Sequence, residues 1–396
     1  MRKRALAAGL CLATLLLAGC DMSVIAPRTS NSIDNAETAQ EAPTEVATEA
    51  VAADDGATQD VPAAEPQEEF ADDEQVFTSP LSGERIGYNK LDHRPLAVML
   101  NNIKAGCPQS GIEEATVVYE APVEGRITRL MGIFENYEDI PKIGSIRSCR
   151  DYYVYLALEY DCIYTHFGQA TIYVGDLLNS NAVDNISGAV SGINDPALNA
   201  FFRTTDRKAP HNVYVSNEGI MKDIDRYGYR KTLRSGYQQK FTFADYDKRV
   251  TYDDKPDATI LYPGGKTSDK ANGFSRVESR FEYNADDGKY YRYQYGDKHI
   301  DLETGNQLTY DNVIFQYCDG MVRDSNDYLA FGLIGDNEQK CKVFTGGKEI
   351  DGTWSRTEIY GPTIYNDENG NPITINPGKT WICIIWNDYA DDVVIE

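Results

Sequence analysis

Arginine side chains that could bind an anion are concentrated in the first half of this sequence. Arg147 and Arg150 stand three residues apart around Ser148, which together with Asp151 matches a helix-capping pattern. The start of a helix offers free N–H groups and a positive dipole end, and arginine binds carboxylate or phosphate through paired hydrogen bonds. The sequence therefore predicts an anion-binding pocket where this helix begins. The ligand-binding residues that we expect there are Arg129, Arg147, Arg150 and Arg203.

An alternative role for the same arginines is structural. They would then form ion pairs inside the fold with Glu120, Glu124 or Asp151. The two roles differ in the effect of mutation, because removing a structural arginine leaves a buried carboxylate without its partner and lowers stability strongly. The sequence is compatible with either role.

Two histidines could move a proton. His166 ends a predicted strand and His211 begins another. A histidine oriented by a carboxylate can act as a general base near neutral pH, so Glu120 or Glu124 would complete a catalytic acid–base pair. The alternative is a histidine hydrogen-bonded to the backbone at the end of its strand. Clustered cysteines and paired zinc-binding histidines are missing from the sequence, so we expect no metal and no cofactor.

The scaffold for these residues is predicted over residues 76–245, where strand and helix signals alternate. Apolar runs predict strands, and Glu124 with Gly125 predicts the turn of a hairpin between two of them. Helices are predicted to begin at Ser148 and at Ser216, the second ending near Gly228. This mixture indicates an α/β or α+β first domain. The predicted strands are 95–100, 116–120, 127–134, 162–166 and 212–215.

Residues 246–396 predict a β-rich second domain. Two strand-like runs are joined by the turn 285–288, which is typical of a hairpin. All three tryptophans lie here, and we expect these aromatic residues to pack the sheet rather than to stack on sugars. The predicted strands are 277–283, 290–295, 312–317, 341–344 and 380–386.

The N-terminus resembles the signal of a bacterial lipoprotein. Residues 2–4 are basic, residues 5–16 are apolar, and Leu-Ala-Gly-Cys ends at Cys20. This order predicts a signal peptide over residues 1–19 and a lipid, including palmitate, on Cys20. An ordinary secretory signal cut nearby is the alternative. Because no second long apolar run follows, the lipid would be the membrane anchor, on the extracytoplasmic face of the cell membrane.

Residues 20–75 are predicted to form an acidic tether. Between Asp21 and Glu74 the sequence has 15 acidic residues and one basic residue. Such a segment cannot bury enough apolar surface to offset its ordering entropy, so we predict a disordered spacer. The whole chain of 396 residues carries a formal net charge of −24, which argues against nucleic acid as a partner.

Six cysteines remain beyond the signal and Cys20. An even number permits three disulfides in an oxidising compartment, but the wide spacing favours mostly buried free thiols. These cysteines are Cys107, Cys149, Cys162, Cys318, Cys341 and Cys383.

Several short motifs, weak singly and specific together, resemble the YerB-like lipoproteins, a two-domain family of unknown function (DUF3048 type). The likeness covers about residues 80–390. It implies a surface lipoprotein with an α/β first domain and a β-rich second domain, and it brings no established reaction or ligand. The motifs include Arg94-Pro95, Pro108-Gln109-Ser110-Gly111, Arg147-Ser148-x-Arg150, Pro210-His211-Asn212, Tyr291-Arg292, Gly352-Thr353-Trp354 and Lys379-Thr380-Trp381.

These observations favour a binding or accessory protein of the cell envelope over an enzyme. Its partners would be the membrane, through the lipid, and a cell-wall polymer or cell-wall assembly proteins, through the anion pocket of the first domain. The competing hypothesis is an envelope hydrolase or transferase that uses the histidine–glutamate pair.

Overall fold

A ten-stranded sheet organises the part of the chain that the structure describes. This computed structural model describes residues 77–188 and 200–396. The predicted signal peptide, the predicted lipidation site Cys20 and the predicted tether lie outside those residues. Among the described residues, none of the helices has the length and apolar character needed to cross a bilayer.

Strands outnumber helices in the described residues, as a β-rich second domain requires, while the α/β character of the first domain stays a prediction. The strands are β1 (Phe77–Thr78), β2 (Arg85–Ile86), β3 (Leu96–Leu100), β4 (Val117–Val123), β5 (Ile127–Phe134), β6 (Ile143–Gly144), β7 (Ile163–His166), β8 (Asn185–Ser187), β9 (Phe201–Arg203), β10 (Val213–Val215), β11 (Thr242–Phe243), β12 (Ile260–Tyr262), β13 (Arg280–Asn284), β14 (Lys289–Gln294), β15 (Asp297–Lys298), β16 (Thr309–Tyr310), β17 (Asn312–Cys318), β18 (Gly320–Val322), β19 (Leu329–Phe331), β20 (Gly335–Thr345), β21 (Lys348–Arg356), β22 (Ile364–Asp367), β23 (Thr374–Ile375), β24 (Thr380–Trp386) and β25 (Val394–Ile395). The α-helices are α1 (Asp151–Leu158), α2 (Thr171–Leu178), α3 (Asn217–Tyr227) and α4 (Gly273–Arg276). Short 3-10 helices cover Tyr88–Lys90, Lys104–Gly106, Ile112–Glu114, Tyr137–Asp139 and Asn387–Asp392.

From β17 across to β8, six strands of the large sheet point the same way. Strand β5 is antiparallel to both β3 and β4, so β3 and β4 share a direction. Strands β7 and β8 run parallel to β3, and β24 and β17 run parallel to β4. We call the edge where these six strands end the carboxyl edge. The order across the sheet is β22-β21-β20-β17-β24-β4-β5-β3-β7-β8.

Apolar side chains cover both faces of the sheet, which explains the continuous apolar runs of its central strands. In β3 all five residues are buried, with Ala97 and Met99 in one hydrophobic cluster and Leu96, Val98 and Leu100 in the other. Helices α1 and α2 contribute to the first cluster, while α3 and the sheet that contains β12–β16 and β25 contribute to the second. Alternate residues of a strand therefore face alternate cores.

The large sheet runs across the predicted domain boundary at residue 245. Strand β24 comes from the second half of the chain and pairs with β4 from the first, with Thr380 opposite Val117 and Cys383 opposite Glu120. The division of the chain at 245 stays a prediction, but the two halves share one hydrogen-bonded sheet.

Local sequence signals predicted several elements correctly. Glu124 and Gly125 lie in the turn between β4 and β5, where Val123 pairs with Ile127. Ser216 caps α3, since its Oγ accepts a hydrogen bond of 3.1 Å from the N–H of Gly219.

The predicted helix start at Ser148 is wrong. Helix α1 begins at Asp151, its N-cap is Arg150, and no side chain caps it. Backbone hydrogen bonds explain the difference, because the N–H groups of Arg147 and Cys149 are held by neighbouring segments and keep the chain extended through Ser148.

The six cysteines in the described residues are free thiols, as predicted. Five of them are buried, and Cys107 is half-buried. Burial raises the pKa of the Cys149 thiol to about 12, so this side chain stays protonated inside the core.

Candidate functional site

The segment that contains Arg147 and Arg150 crosses the carboxyl edge in an extended conformation. The N–H of Arg147 donates a hydrogen bond of 3.0 Å to the carbonyl of Met99, near the end of β3. The N–H of Cys149 donates a bond of 3.0 Å to the carbonyl of Gly168, just after β7. Gly168 has φ +81°, and a Cβ there would lie 2.8 Å from Ser148 Oγ, so this close approach requires glycine.

Arg150 is held by a carboxylate of the β4–β5 turn. Its Nε and Nη2 donate to the two carboxylate oxygens of Glu124, each at 2.7 Å, and its Nη1 donates to the carbonyl of Cys149 at 2.7 Å. Burial opposes the charged form, but the hydrogen bonds that Arg150 donates to Glu124 and the charge of that carboxylate outweigh burial and raise the pKa of Arg150. For this arginine the structure therefore contains the internal ion pair that the structural alternative describes.

Arg129 lies in β5 and is 6% exposed. Its Nη1 donates a hydrogen bond of 2.8 Å to the carbonyl of Ser148. Burial first, and then the guanidinium groups of Arg150 and Arg147, lower the pKa of Arg129 to about 10. Glu124 acts in the opposite direction. The charged groups that act on this buried cation are thus two further cations and one carboxylate.

Arg203 and His211 border the same corner from β9 and from the loop before β10. Arg203 is exposed, donates from Nη1 to Asn212 Oδ1 at 2.7 Å, and places its guanidinium 5.5 Å from the ring centre of Phe167. His211 is half-buried, and its Nδ1 lies 3.0 Å from the side-chain nitrogen of Asn101, which directly follows β3. Both residues belong to the carboxyl edge.

His166 is fully buried at the end of β7. Its Nδ1 lies 2.8 Å from the carbonyl of Gly168, so Nδ1 carries the proton and donates it to that oxygen. Burial lowers the pKa of this imidazole, which keeps it neutral. This is the backbone-bonded arrangement of a strand-end histidine.

Glu120, the first carboxylate proposed as a catalytic partner, is fully buried in β4. Its Oε2 accepts a hydrogen bond of 2.9 Å from Arg292, and its Oε1 accepts one of 2.7 Å from the hydroxyl of Thr128. Asn102 and Ser279 donate to the same carboxylate at 3.3 Å and 3.2 Å. These are the contacts of a structural ion pair, and they give the acid–base hypothesis no support.

Arg323 reaches the carboxyl edge from the hairpin between β18 and β19, and sequence reasoning missed it. Its Nη2 lies 2.5 Å from Asp151 Oδ2 at the start of α1, and its guanidinium lies 4.7 Å from the ring centre of Tyr173 in α2. Arg323 and Asp151 are 172 positions apart in the chain. No local pattern carries such a signal, because only the tertiary fold brings the two residues together.

A second arginine cluster lies at the opposite edge of the sheet and differs in its charge balance. The side chains of Arg230 and Arg234 each donate to Asp161 Oδ1 at 2.9 Å, and Arg94 Nε donates to the carbonyl of the same residue at 2.5 Å. Burial raises the pKa of Asp161, but the hydrogen bond from Arg230 and the charges of Arg94 and Arg234 outweigh burial and lower that pKa. The cluster is organised around its own carboxylate. In residues 77–188 and 200–396 no group of three His, Cys, Asp or Glu side chains is arranged to hold a metal.

The comparisons with known proteins agree with the fold and with the motifs. The profile described as "Protein of unknown function (DUF3048) N-terminal domain" matches residues 81–230, and the matching C-terminal domain covers residues 271–382. The chain is 28% identical over 323 residues to "Putative lipoprotein YerB" of Bacillus subtilis (strain 168), covering 79% of this chain and 88% of that protein. The crystal structure of the YerB protein from Bacillus subtilis superposes with a TM-score of 0.67 at 25% identity, over 81% of this chain and 99% of that one. The chain belongs to the DUF3048 family.

Proposed function

We propose that this protein is a membrane-anchored lipoprotein of the extracytoplasmic face, held by a lipid on Cys20. Two observations support the proposal. The N-terminal sequence has the basic, apolar and Leu-Ala-Gly-Cys segments of a lipoprotein signal. The Bacillus subtilis relative carries the word lipoprotein in its name. In this reading the first family domain is α/β, as α1, α2 and α3 among its strands support, and it stands outside the membrane.

Within that setting, we propose a binding role for the arginine corner, which we define as Arg129, Arg147 and Arg150 with Arg203 at its rim. The observation that carries this proposal is the buried guanidinium of Arg129, which donates to the carbonyl of Ser148, the residue next to Arg147 and two before Arg150. After burial, the charges of Arg150 and Arg147 are the main causes that lower the pKa of Arg129, and Glu124 opposes them. An excess of cations in a partly desolvated place is stabilised by an anion. The corner therefore favours a phosphate or carboxylate group of an envelope partner.

The arginines of the corner have different parts in this proposal. Arg150 donates from Nε and Nη2 to Glu124 and from Nη1 to the carbonyl of Cys149, so it contributes charge and fixes the extended segment. Arg147 is half-buried, and it is the residue that we expect to contact the anion directly. A cell-wall polymer or a cell-wall assembly protein would supply the anionic group.

Thermal melting with added phosphate tests the proposal. Phosphate should raise the melting temperature of the wild type and of Arg85→Gln, a control whose exposed ion pair with Asp247 lies elsewhere. Phosphate should raise the melting temperature of Arg147→Ala much less. Arg147→Lys keeps the charge but loses the planar fork, so it should show an intermediate shift. If phosphate stabilises none of the proteins and Arg147→Ala is grossly destabilised, the arginine is structural and the proposal fails.

A further inference from the structure

Arginines and aromatic rings form a continuous row along the carboxyl edge, and it extends past the arginine corner. At one end the guanidinium of Arg203 lies 5.5 Å from the ring centre of Phe167. The N–H of Phe167 donates a hydrogen bond of 3.0 Å to the carbonyl of Arg147. The positive charge of Arg147 lowers the pKa of Arg129, and the charge of Arg150 does the same. The first half of the row thus follows from contacts within the first family domain.

The second half of the row is built by the second family domain. The guanidinium of Arg150 lies 5.1 Å from the ring centre of Tyr328, and that ring is 5.3 Å from the ring of Tyr173 in an edge-to-face contact. Arg323 then lies 4.7 Å from the ring centre of Tyr173. Arg323 and Tyr328 flank the tip of the β18–β19 hairpin. Cations and rings from both family domains therefore alternate along one edge.

The charges of this row have an excess of cations. Among the described residues, Arg150 pairs with Glu124 and Arg323 pairs with Asp151. Arg129 instead donates to the carbonyl of Ser148, and Arg203 donates to the side chain of Asn212. The chain as a whole has a formal net charge of −24, so this excess is local and opposite in sign to the rest of the molecule.

We propose that the row binds a linear polyanion that carries phosphate groups at short intervals, with Arg203 and Arg323 at its two ends. This inference rests on the proposed function and extends its ligand from one anion to a chain. A single phosphate engages one or two guanidinium groups, whereas a chain of phosphates engages several at once. Once one phosphate of the chain is bound, the next one is held at a high effective concentration near the next arginine. The net negative charge of the protein repels a polyanion at long range, so the affinity comes from these short-range contacts.

An acidic peptide is the other class of partner that a row of arginines attracts. One common way to hold an extended peptide is to pair its backbone with an unpaired strand edge. The row instead crosses strands β3, β5 and β7, where the backbone ladder is already paired on both sides. It therefore offers a ligand guanidinium groups rather than a free strand edge, and guanidinium groups bind phosphate through paired hydrogen bonds.

Equilibrium dialysis of the whole protein against inorganic polyphosphate and orthophosphate, at equal total phosphate and ionic strength, tests the inference. Polyphosphate should bind at least about tenfold more tightly per phosphate than orthophosphate. Arg323→Gln should weaken polyphosphate binding several-fold and leave orthophosphate binding unchanged, because Arg323 lies outside the arginine corner. Arg203→Gln, at the rim of the corner, should weaken polyphosphate binding several-fold and more than it weakens orthophosphate binding. Arg203 is exposed, so its variant keeps the fold, and Arg85→Gln serves as the control with no effect on either ligand.

The outcomes separate this inference from the proposed function. If orthophosphate binds and polyphosphate binds no more tightly per phosphate, the proposal that the row binds a polyanion is overturned, while the proposed single-anion site stands. If neither ligand binds, both proposals fall. If polyglutamate of matched charge binds more tightly than polyphosphate, the partner is an acidic peptide and the inference is overturned.

Discussion

Glu120 and Arg292 form an ion pair of 2.9 Å between the two family domains, and both side chains are completely buried. The guanidinium of Arg292 also lies 4.9 Å from the ring centres of both Phe281 and Trp381. A buried ion pair is stable only when further hydrogen bonds satisfy the remaining donors and acceptors of its two groups. The hydroxyl of Thr128 donates one of these hydrogen bonds to Glu120. The two domains are therefore joined by a polar contact inside a shared core.

Removing one partner of this pair should destabilise the whole protein. We expect Arg292→Met to lower the free energy of unfolding by about 3–5 kcal/mol, because Glu120 would remain charged and buried. The double variant with Glu120→Gln should recover part of that loss. Urea denaturation measures both. Arg280→Gln is the matched control: its half-exposed pair with Glu282 on β13 should be worth less than about 1 kcal/mol. Equal losses for the two arginines would contradict the structural role of Arg292.

Glu159 should make the protein sensitive to acid. Burial opposes its charge, but Lys240 at 2.8 Å, Arg356 and the hydroxyl of Tyr119 outweigh burial and hold the pKa of Glu159 at about 2. A carboxyl whose folded pKa lies below its unfolded value near 4.5 stabilises the fold at higher pH and loses this contribution as the pH falls from 4.5 towards 2.

Urea denaturation of wild type and Glu159→Gln at pH 7 and at pH 3 checks this prediction. At pH 7 the variant should be less stable, since Lys240 loses its buried partner. The gap between the two proteins should narrow at pH 3. A gap that is constant or widens with acid would refute the assignment.

His93 should contribute stability that disappears at alkaline pH. Its Nε2 lies 2.7 Å from the carboxylate of Glu138 and its Nδ1 lies 3.0 Å from the carbonyl of Glu135, so both nitrogens face acceptors. The hydrogen bond to Glu138 is the main cause that raises the pKa of His93 above 6.5. The stabilisation is therefore complete below pH 6.5 and is lost as the pH rises through the folded pKa. The melting temperatures of wild type and His93→Gln should differ more at pH 6 than at pH 9. A difference that does not change with pH would contradict a stabilising role for protonated His93.

Lipidation of Cys20 should determine where the protein fractionates. Cys20→Ala should move it from the membrane pellet to the soluble fraction, because the proposed acyl chains provide the anchor. Cys11→Ala, which changes a cysteine within the apolar part of the signal, should leave the protein in the pellet. The measurement is immunoblotting after an alkaline wash of membranes. Retention of Cys20→Ala in the pellet would show that another segment anchors the chain.

Elements that depend on neighbouring residues could be predicted from the sequence. The apolar run of β3 and the turn at Glu124 and Gly125 are found where the pattern indicates them. Ser216 and Gly228 bound α3, since the first caps it and the second adopts φ +67° at its end. In each case the physical cause lies within a few residues of its effect.

Elements that depend on distant residues could not be predicted in this way. Ser148 fits a capping pattern, but backbone hydrogen bonds from its neighbours to Met99 and Gly168 keep it extended. The partners of Glu120 and Asp151 lie 172 positions away, on Arg292 and Arg323. The sequence therefore identified residues of the arginine corner without identifying what surrounds them.

Binding of glycerol phosphate, measured by equilibrium dialysis with wild type and Arg147→Lys, tests the central claim most directly. Neutral glycerol is the ligand control, and Arg85→Gln is the protein control. The account predicts that wild type and Arg85→Gln bind the phosphate ester and not glycerol. It also predicts that Arg147→Lys binds about tenfold more weakly, because one charge-assisted hydrogen bond is worth about 1.5–3 kcal/mol. Equal affinity of Arg147→Lys and wild type, or no binding by either, would contradict an anion site at Arg147.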